Sequence, residues 1–342
     1  MEPLVSVIIL NYNGSDYIFD CIKSVLKTEL CKFEIILIDN NSTDGSFEKC
    51  KQEFLQIKLI KNSKNLAMAA RNIGIDNAQG NFILFLDADT IVQPRSIYEL
   101  IKSWEAHGEG VYQGKLISQT DHSKIESAGN MTNVFGFGFA RGRGKEDKKQ
   151  YEKFERISFP VGGYTFASTE LIRHIGYIDE SKLFFLMLDD VDYGWRAWLE
   201  NIPCYYEPKS VIFHLGSPVL QWSKRKFFFA ERNRWICLLS LYSSKTLFKI
   251  FPILLLVDIG VFFFFIPRGL ASSKITAMFS LWKMMPKILA RRKRLQRKRE
   301  ISDKEIIQNF SEYVELPSMM RNQSSLGGNI IINLSRFAKK MI

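Results

Sequence analysis

Residues 82–89 read Phe-Ile-Leu-Phe-Leu-Asp-Ala-Asp, an unbroken apolar run that ends in two acids. Such a run is typical of a strand buried on both faces, as in a parallel sheet covered by helices. The strand would deliver Asp87 and Asp89 to the edge of the sheet, where carboxylate oxygens suit a hard divalent cation. An Asp-x-Asp pair also occurs in solvated turns, so its meaning depends on what surrounds it.

The preceding eighty residues repeat one structural unit. Further apolar runs of strand length alternate with segments whose apolar residues have helical spacing, which predicts a doubly wound α/β domain. In open sheets of this kind ligands bind beyond the carboxyl ends of the strands. Polar residues cluster at those ends, at 11–14 and 39–45 as well as at 87–89. The strand runs are 5–10, 34–38 and 57–60, and the helical segments are 17–26, 46–54 and 66–78.

Three residues at these strand ends are candidates for ligand binding. Asp39 stands at the tip of the second strand, where we expect it to contact a ligand. Asp44 is equally suited to capping the helix that follows. Tyr12, after the first strand, is able to stack on a nucleobase, a contact worth about 1–3 kcal/mol, or to pack on its loop neighbours.

A second acidic group lies in the other half of the chain. Asp189, Asp190 and Asp192 fall at the start of a predicted helix over residues 191–200. Close carboxylates raise one another's pKa, as a general base requires, but a helix dipole also favours acids at this place. His214 ends a predicted short strand over residues 211–213, and is either a ligand or a histidine satisfied by its neighbours. Between the halves, glycine-rich residues 135–149 predict a mobile loop.

The composition changes beyond about residue 240. Residues 247–267 are strongly apolar, with Pro252 and Asp258 as interruptions, and their length is near the lower limit of about 17–25 residues for a spanning helix. We expect a membrane-embedded or re-entrant segment, in which Asp258 needs a partner. The alternative is a buried core helix, or a helical hairpin that packs on a partner.

The net charge of +11 is concentrated after this segment. Residues 268–300 contain eleven Lys or Arg and one acid, and 287–299 alone contain eight Lys or Arg. This basic run predicts attraction to an anionic membrane surface and a cytoplasmic location. It has no aromatic residues, which favours lipid over nucleic acid. The five scattered cysteines and the lack of an early signal-like segment predict a reducing compartment.

Four motifs in register resemble the inverting glycosyltransferase family 2, whose members have a GT-A fold. They are S-V-I-I-L-N-Y-N-G (6–14), I-D-N-N-S-T-D-G-S (38–46), N-L-A-M-A-A-R-N-I-G (65–74) and F-L-D-A-D-T (85–90). The second half is similar to the family at 176–196, which contains L-D-D-V-D-Y-G-W-R, and at 211–217, V-I-F-H-L-G-S. The subgroup it most resembles is the rhamnosyltransferase-like set that extends lipid-linked or cell-surface glycans.

The resemblance implies a domain organisation and a set of donor contacts. Residues 1–240 would form the transferase domain, with a nucleotide-sugar half (1–100) and an acceptor half (101–240), and residues 241–342 a helical membrane-associated tail. The donor would be a nucleoside-diphosphate sugar, a UDP- or dTDP-sugar first among them. Tyr12, Asp39 and Arg71 would hold the nucleoside, and Asp87 would face the ribose.

The resemblance also implies the catalytic groups. Asp89 would bind Mg²⁺ or Mn²⁺, and His214 would add a metal or diphosphate contact. Asp190 would be the base that deprotonates a hydroxyl of a glycan or lipid-linked acceptor. Asp189 stands where the family commonly has Glu, so the choice between Asp189 and Asp190 stays open at this point.

Other classes of protein fit less well. A dinucleotide-binding dehydrogenase would have G-x-G-x-x-G after the first strand, and a nucleotidyltransferase would have a glycine- and arginine-rich loop there, whereas this chain has N-Y-N-G-S-D. A processive polysaccharide synthase would have Q-x-x-R-W and several spanning helices, and residues 221–225 read Q-W-S-K-R. The remaining alternative is a membrane-anchored binding module with a degenerate site, against which the full set of acids counts.

Overall fold

The computed structural model describes residues 4–179, 182–216, 223–315 and 325–342. Parts of the 176–196, 211–217 and 221–225 segments, namely residues 180–181, 217 and 221–222, lie outside it. The first elements are β1 Leu4–Asn11, α1 Ile18–Leu26, β2 Lys32–Asp39, α2 Ser46–Glu53, β3 Lys58–Lys61, α3 Arg71–Asn77, β4 Phe82–Asp87, β5 Thr90–Val92, α4 Ser96–His107 and β6 Val111–Ser118. Those that follow are β7 Ile125–Ser127, β8 Asn130–Thr132, β9 Gly138–Ala140, β10 Glu155–Arg156, β11 Tyr164–Ser168, α5 Thr169–Ile175, α6 Asp189–Leu199, β12 Cys204–His214, α7 Lys224–Leu241, α8 Ser244–Phe265, α9 Ala271–Arg297, α10 Asp303–Ile306 and α11 Ser325–Met341.

The predicted α/β architecture of the first ninety residues is confirmed. Strands β4, β1, β2 and β3 lie side by side in that order and run parallel. The interior residues of β1 and β4 are buried, as unbroken apolar runs predict. The register pairs Asn11 with Asp39 and Leu10 with Asp87. The carboxyl ends of three strands therefore meet at one edge of the sheet.

The second half of the chain extends the same sheet. Strand β11 pairs antiparallel with both β4 and β6, and β6 pairs parallel with β12, so the order is β10-β12-β6-β11-β4-β1-β2-β3. The short strands β5 and β7 pair with β12 and β6. The sheet is thus mixed and mostly parallel, with helices around it. Strand β12 is longer than the short strand predicted at 211–213, but it ends at His214 as expected.

The predicted mobile loop at 135–149 is wrong for its first part. Phe135 is fully buried, and β9 pairs with β8. The Arg141 side chain donates from Nε to the Ala128 carbonyl (2.8 Å), and Arg234 of α7 donates to the Phe135 carbonyl (3.2 Å). The glycines here serve tight turns, since Gly136 and Gly142 both have φ near +80°. Glycine content alone did not distinguish a packed, turn-rich segment from a free loop.

Helices α8 and α9 form a hairpin that packs on the rest of the chain. Asp258, in the middle of α8, accepts hydrogen bonds from Arg234 Nη2 (2.6 Å), Lys274 Nζ (2.8 Å) and Trp235 Nε1 (3.0 Å). Glu231 of α7 also pairs with Lys274 (2.7 Å) and Arg234 (3.0 Å), which closes a buried cluster of two acids and two bases. The partner that Asp258 needs is therefore supplied by α7 and α9.

The basic run at 287–299 does not face one environment. At least half of its eight basic residues bind the protein itself, and the predicted attraction of the run to an anionic membrane stays a prediction. Arg291 pairs with Asp192 of α6, Arg292 donates to the Tyr242 carbonyl (2.7 Å), Lys298 reaches Glu200 (3.2 Å) and Arg299 pairs with Asp303 (2.8 Å).

Candidate active site

Asp87, Asp89 and His214 meet at the carboxyl edge of the sheet. Asp87 ends β4, and Asp89 lies in the turn before β5. Strand β5 pairs with β12 so that Thr90 is opposite His214, and the Leu215 amide donates to the Asp89 carbonyl (3.0 Å). His214 Nε2 lies 3.4 Å from Asp89 Oδ1, and one ligand atom from each of the three residues lies within 4.8 Å of the others.

These three side chains fit a divalent cation. Two carboxylates and an imidazole supply three ligand atoms, and a small hard cation fills its remaining positions with water and substrate phosphate oxygens. Burial lowers the pKa of His214, but the hydrogen bond and charge of Asp89 outweigh it and raise the pKa above its ordinary value. The acids around the imidazole therefore form a centre of negative potential. The predicted metal residues Asp89 and His214 lie together, and Asp87 joins them.

Glu126 is a neighbour of His214 that the sequence analysis missed. Its Oε1 lies 4.0 Å from His214 Nδ1 and 2.6 Å from Arg143 Nη2. His214 Nδ1 is buried and has no hydrogen-bond partner among the described residues. Metal-bound histidines usually present their second nitrogen to a carboxylate or carbonyl, and Glu126 is placed on that side. No motif marks it, since it occupies the short strand Ile-Glu-Ser.

Arg71 contacts Asp87 rather than the open edge of the sheet. Its guanidinium is completely buried and forms an ion pair with Asp87 Oδ1. Gly163 lies against the same carboxylate, which would collide with any β-carbon at that position. Arg71 and Gly163 therefore fix the orientation of the Asp87 carboxylate. A direct contact of Arg71 with a nucleoside stays a prediction.

The predicted nucleoside residues differ in their exposure. Tyr12 is 40% exposed, so its ring is open to stacking. Asp39 is buried, and its two oxygens accept from Asn11 Nδ2 and from the Ser42 amide, each at 3.0 Å. In this structure Asp39 holds the loop after β2, and its predicted ligand contact is untested. Asp44 accepts from the amide of Ser46, the first residue of α2 (3.1 Å), but the N-cap position is occupied by Gly45, so Asp44 is not the cap residue that its alternative predicted.

Asp189 and Asp190 are the first two residues of α6, and Asp190 lies near enough to Asp87 to be affected by its charge. Burial, and then the charge of Asp190, raises the pKa of Asp189. Burial also raises the pKa of Asp190, against the hydrogen bond that its Oδ1 accepts from the Val191 amide (2.8 Å). Both acids line a cavity of about 10 Å³ that also touches Gly162, enough for about one water. Asp189 is buried and Asp190 partly exposed.

A polar clamp on α7 holds the segment that leads into these acids. Phe185, Met187 and Leu188 all have φ near +60°, a conformation that non-glycine residues adopt only under restraint. Asn233 Nδ2 donates to the carbonyls of Leu186 and Met187, each at 2.7 Å, and to that of Phe184 at 3.2 Å. Arg232 Nη2 donates to the carbonyls of Leu183 (2.8 Å) and Phe184 (3.0 Å). No sequence motif marks either residue of this clamp.

Comparison with known proteins identifies relatives over the sheet and its edge. The profile described as Glycosyl transferase family 2 matches residues 6–176. Glycosyltransferase GlyG of Streptococcus pneumoniae is 36% identical over 134 residues, which are 38% of this chain and 43% of GlyG. The putative teichuronic acid biosynthesis glycosyltransferase TuaG of Bacillus subtilis is 40% identical over 94 residues, 26% of this chain and 36% of TuaG. The matches thus span less than half the length of either relative.

A longer match and a solved structure extend the comparison. Poly-beta-1,6-N-acetyl-D-glucosamine synthase of Staphylococcus aureus is 26% identical over 267 residues, 74% of this chain and 60% of the synthase. The crystal structure of GalNAc-T7 with UDP, GalNAc and Mn²⁺ superposes with a TM-score of 0.58 at 17% identity, over 73% of this chain and 51% of that one. At that identity the likeness concerns the fold, and it confirms the predicted GT-A architecture.

Proposed function

Because this chain belongs to glycosyl transferase family 2, we propose that it moves one sugar from a nucleoside-diphosphate sugar to an acceptor hydroxyl, with inversion at the anomeric carbon. The observation that carries the proposal is the pairing of two features at one sheet edge. Asp87, Asp89 and His214 form a cluster suited to a cation, and the raised pKa of Asp190 suits a base beside it.

The donor would bind over the carboxyl ends of β1, β2 and β4. Tyr12 would stack on the base, Asp39 would shape the loop beneath it, and Asp87, oriented by Arg71, would face the ribose. A UDP- or dTDP-sugar is the proposed donor. Asp89 and His214 would hold Mg²⁺ or Mn²⁺, which when bound neutralises the charge that develops on the leaving diphosphate.

Asp190 is the proposed general base. Inversion in one displacement requires a group that takes the proton of the acceptor hydroxyl on the face opposite the leaving group. Asp190 is the more exposed of the two acids, whereas Asp189 is buried behind it. The raised pKa of Asp190 brings its proton affinity closer to that of a useful base at neutral pH. The pKa of Asp189 is raised to about 8, so this acid would be largely protonated at neutral pH and is the less suited of the two to accept the proton.

The acceptor and the location are proposed from the tail. The one helix among the described residues that is long and apolar enough to cross a membrane is Ser244–Arg268. An apolar helix with lysines and arginines nearby supports an anionic membrane surface on the cytoplasmic side as a partner. An acceptor that is a lipid-linked glycan, as in the rhamnosyltransferase-like set, follows from that location.

A donor panel tests the proposal. The full chain is mixed with UDP-, dTDP- and GDP-sugars with and without Mn²⁺, and thermal stabilisation and release of nucleoside diphosphate are recorded. We expect one donor to stabilise the protein only with Mn²⁺, Asp89→Ala to lose this effect, and Asp190→Asn to keep donor binding while losing turnover. If no donor binds under any metal condition, the chain is a binding module with a degenerate site.

A further inference from the structure

Helices α8 and α9 expose a continuous apolar surface on the side away from α7. The exposed side chains recur every three or four residues along α8 and at intervals of four, three and seven residues along α9, and Phe248 and Trp282 are 86% and 73% exposed. We call this surface the hairpin face; it consists of Phe248, Phe251, Leu255, Ile259 and Phe263 on α8 and Ile275, Phe279, Trp282 and Leu289 on α9. Side chains of both helices, among them Ile259, Phe263 and Ile275, line one open cleft. The two stripes therefore adjoin.

We propose that the hairpin face inserts into one leaflet of an anionic membrane, with both helices along the membrane plane, and that α8 does not cross the bilayer. An exposed apolar surface of this extent marks an interaction site. A helix with one apolar face and one face bound to protein suits the interfacial position, buried about 5–10 Å into the leaflet. This proposal names the surface and its depth, and it does not depend on the transferase activity.

The buried side of α8, opposite the hairpin face, is the reason that we do not propose a spanning helix. A spanning helix needs about 20 residues with lipid or other spanning segments around them. Only one side of α8 is free, because Ile250, Leu254 and Val257 are buried in the main core. In addition, Asp258 is tied to Arg234 of α7 and to Lys274 of α9. Crossing would separate α8 from these partners and leave Asp258 alone in the hydrocarbon, where an unpaired charge is costly.

The charges beside the face indicate the chemistry of the membrane. Lys245, Lys283, Lys287 and Lys293 are exposed along the two helices. Helix α9 contains no acid, and the single acid of α8 is Asp258, which is paired. An apolar face bordered by exposed lysines is complementary to a leaflet with anionic headgroups. A second copy of the chain would bring the same lysines together and repel.

Vesicle flotation tests the surface. The full chain is mixed with phosphatidylcholine vesicles with and without phosphatidylglycerol. We expect it to float with the anionic vesicles, and the Phe279→Ser/Trp282→Ser variant to lose about a hundredfold in partitioning, since each of the two buried aromatic rings contributes about a factor of ten. Leu55→Ser is the matched control, because Leu55 is 87% exposed and lies outside the hairpin. Equal flotation of the double variant and this control would overturn the proposal. It would also be overturned if the unsubstituted chain were a dimer, the double variant were a monomer, and both floated equally.

Cysteine labelling tests the depth. Cys31→Ser removes the one cysteine that is not buried. Lys245→Cys then places an exposed thiol in the first turn of α8, and Ser272→Cys places one in the first turn of α9, just beyond the other end of α8. When the protein is added outside sealed anionic vesicles, we expect both thiols to react with a membrane-impermeant maleimide. A Ser272→Cys thiol that reacts only after the vesicles are opened, or not at all, would show crossing or deep insertion and would refute the in-plane position. Neither experiment uses a donor, so a failed glycosyl transfer leaves this result standing.

Discussion

Removing the amide of Asn233 should slow the proposed reaction without weakening donor binding. Asn233 is fully buried on α7, and its Nδ2 is the donor for the Leu186 and Met187 carbonyls, each at 2.7 Å. These carbonyls belong to the segment that precedes Asp189 and Asp190. Because Met187 and Leu188 have positive φ, the segment depends on such restraints to keep its shape. Asn233→Ala deletes the donor and leaves the two carbonyls to water.

The size of the effect follows from these two hydrogen bonds. Each contributes about 0.5–1.5 kcal/mol net, so the segment loses about 1–3 kcal/mol of ordering energy. If the proposed base is correctly placed only while the segment is ordered, kcat falls about 5- to 150-fold. The near-isosteric Asn233→Asp should lose more, because a carboxylate facing carbonyl oxygens repels them. The proposed donor contacts lie at the ends of β1, β2 and β4, so donor affinity should not change.

The assay measures kcat, the donor dissociation constant and the pH profile for both variants and for Ser240→Ala. Ser240 is the matched control, since it lies buried on the same helix and its hydroxyl has no partner among the described residues. Burial raises the pKa of Asp190, so loosening the segment should hydrate the carboxyl and move the acid limb of kcat to lower pH. A loss of kcat that only tracks the loss of folded protein, with an unchanged acid limb, would refute this role of Asn233.

Three further predictions concern stability and the metal centre. In urea unfolding, Asp189→Asn should stabilise the fold by about 1–3 kcal/mol near pH 8 and should have no such effect near pH 4. The raised pKa of Asp189 means that folding disfavours its ionised form, so the penalty grows as pH rises above the ordinary pKa of the carboxyl. A difference that does not depend on pH would contradict this. Asp258→Leu should cost about 3–5 kcal/mol by leaving buried cations undercompensated, against at most about 1 kcal/mol for Glu105→Ala in an exposed pair. Glu126→Gln should weaken Mn²⁺-dependent thermal stabilisation in the presence of nucleoside diphosphate about tenfold in apparent affinity, whereas an unchanged titration would separate Glu126 from the centre.

The first ninety residues were predictable because each local signal agreed with the fold. In a parallel α/β sheet each strand is covered on both faces, so the strand must be apolar throughout and polar where it ends, and this pattern is readable in one sequence. The positions of Asn11, Asp39 and Asp87 at one edge follow from that pattern and from the register. No such pattern exists for Glu126 or Asn233, whose partners are 88 and 46 to 49 residues away in sequence.

His214 shows how long-range pairing limits prediction. Its role was inferred from a motif, whereas its contact with Asp89 depends on the antiparallel pairing of β5 with β12. Strand β5 has three residues, and such a short run carries little signal of its own. Strand β12 in turn pairs with β6 over eight positions, so the place where β5 finds its partner depends on a third strand. A sequence reading that sees single elements misses contacts that depend on two other elements being in place.

The acidic cluster at 189–192 and the basic run at 287–299 contact each other, and this contact separates the acids into two kinds. The sequence analysis treated the acids at 189–192 and the basic run at 287–299 separately, yet the two segments meet. Along α9, Ile288, Arg291 and Leu295 are buried at helical spacing, so Arg291 occupies a position in the face that packs on the protein. There it pairs with Asp192, which Arg196 also binds at 3.0 Å. Within the described residues neither Asp189 nor Asp190 has an ion-pair partner, so Asp192 is the structural acid, and burial raises the pKa of the other two.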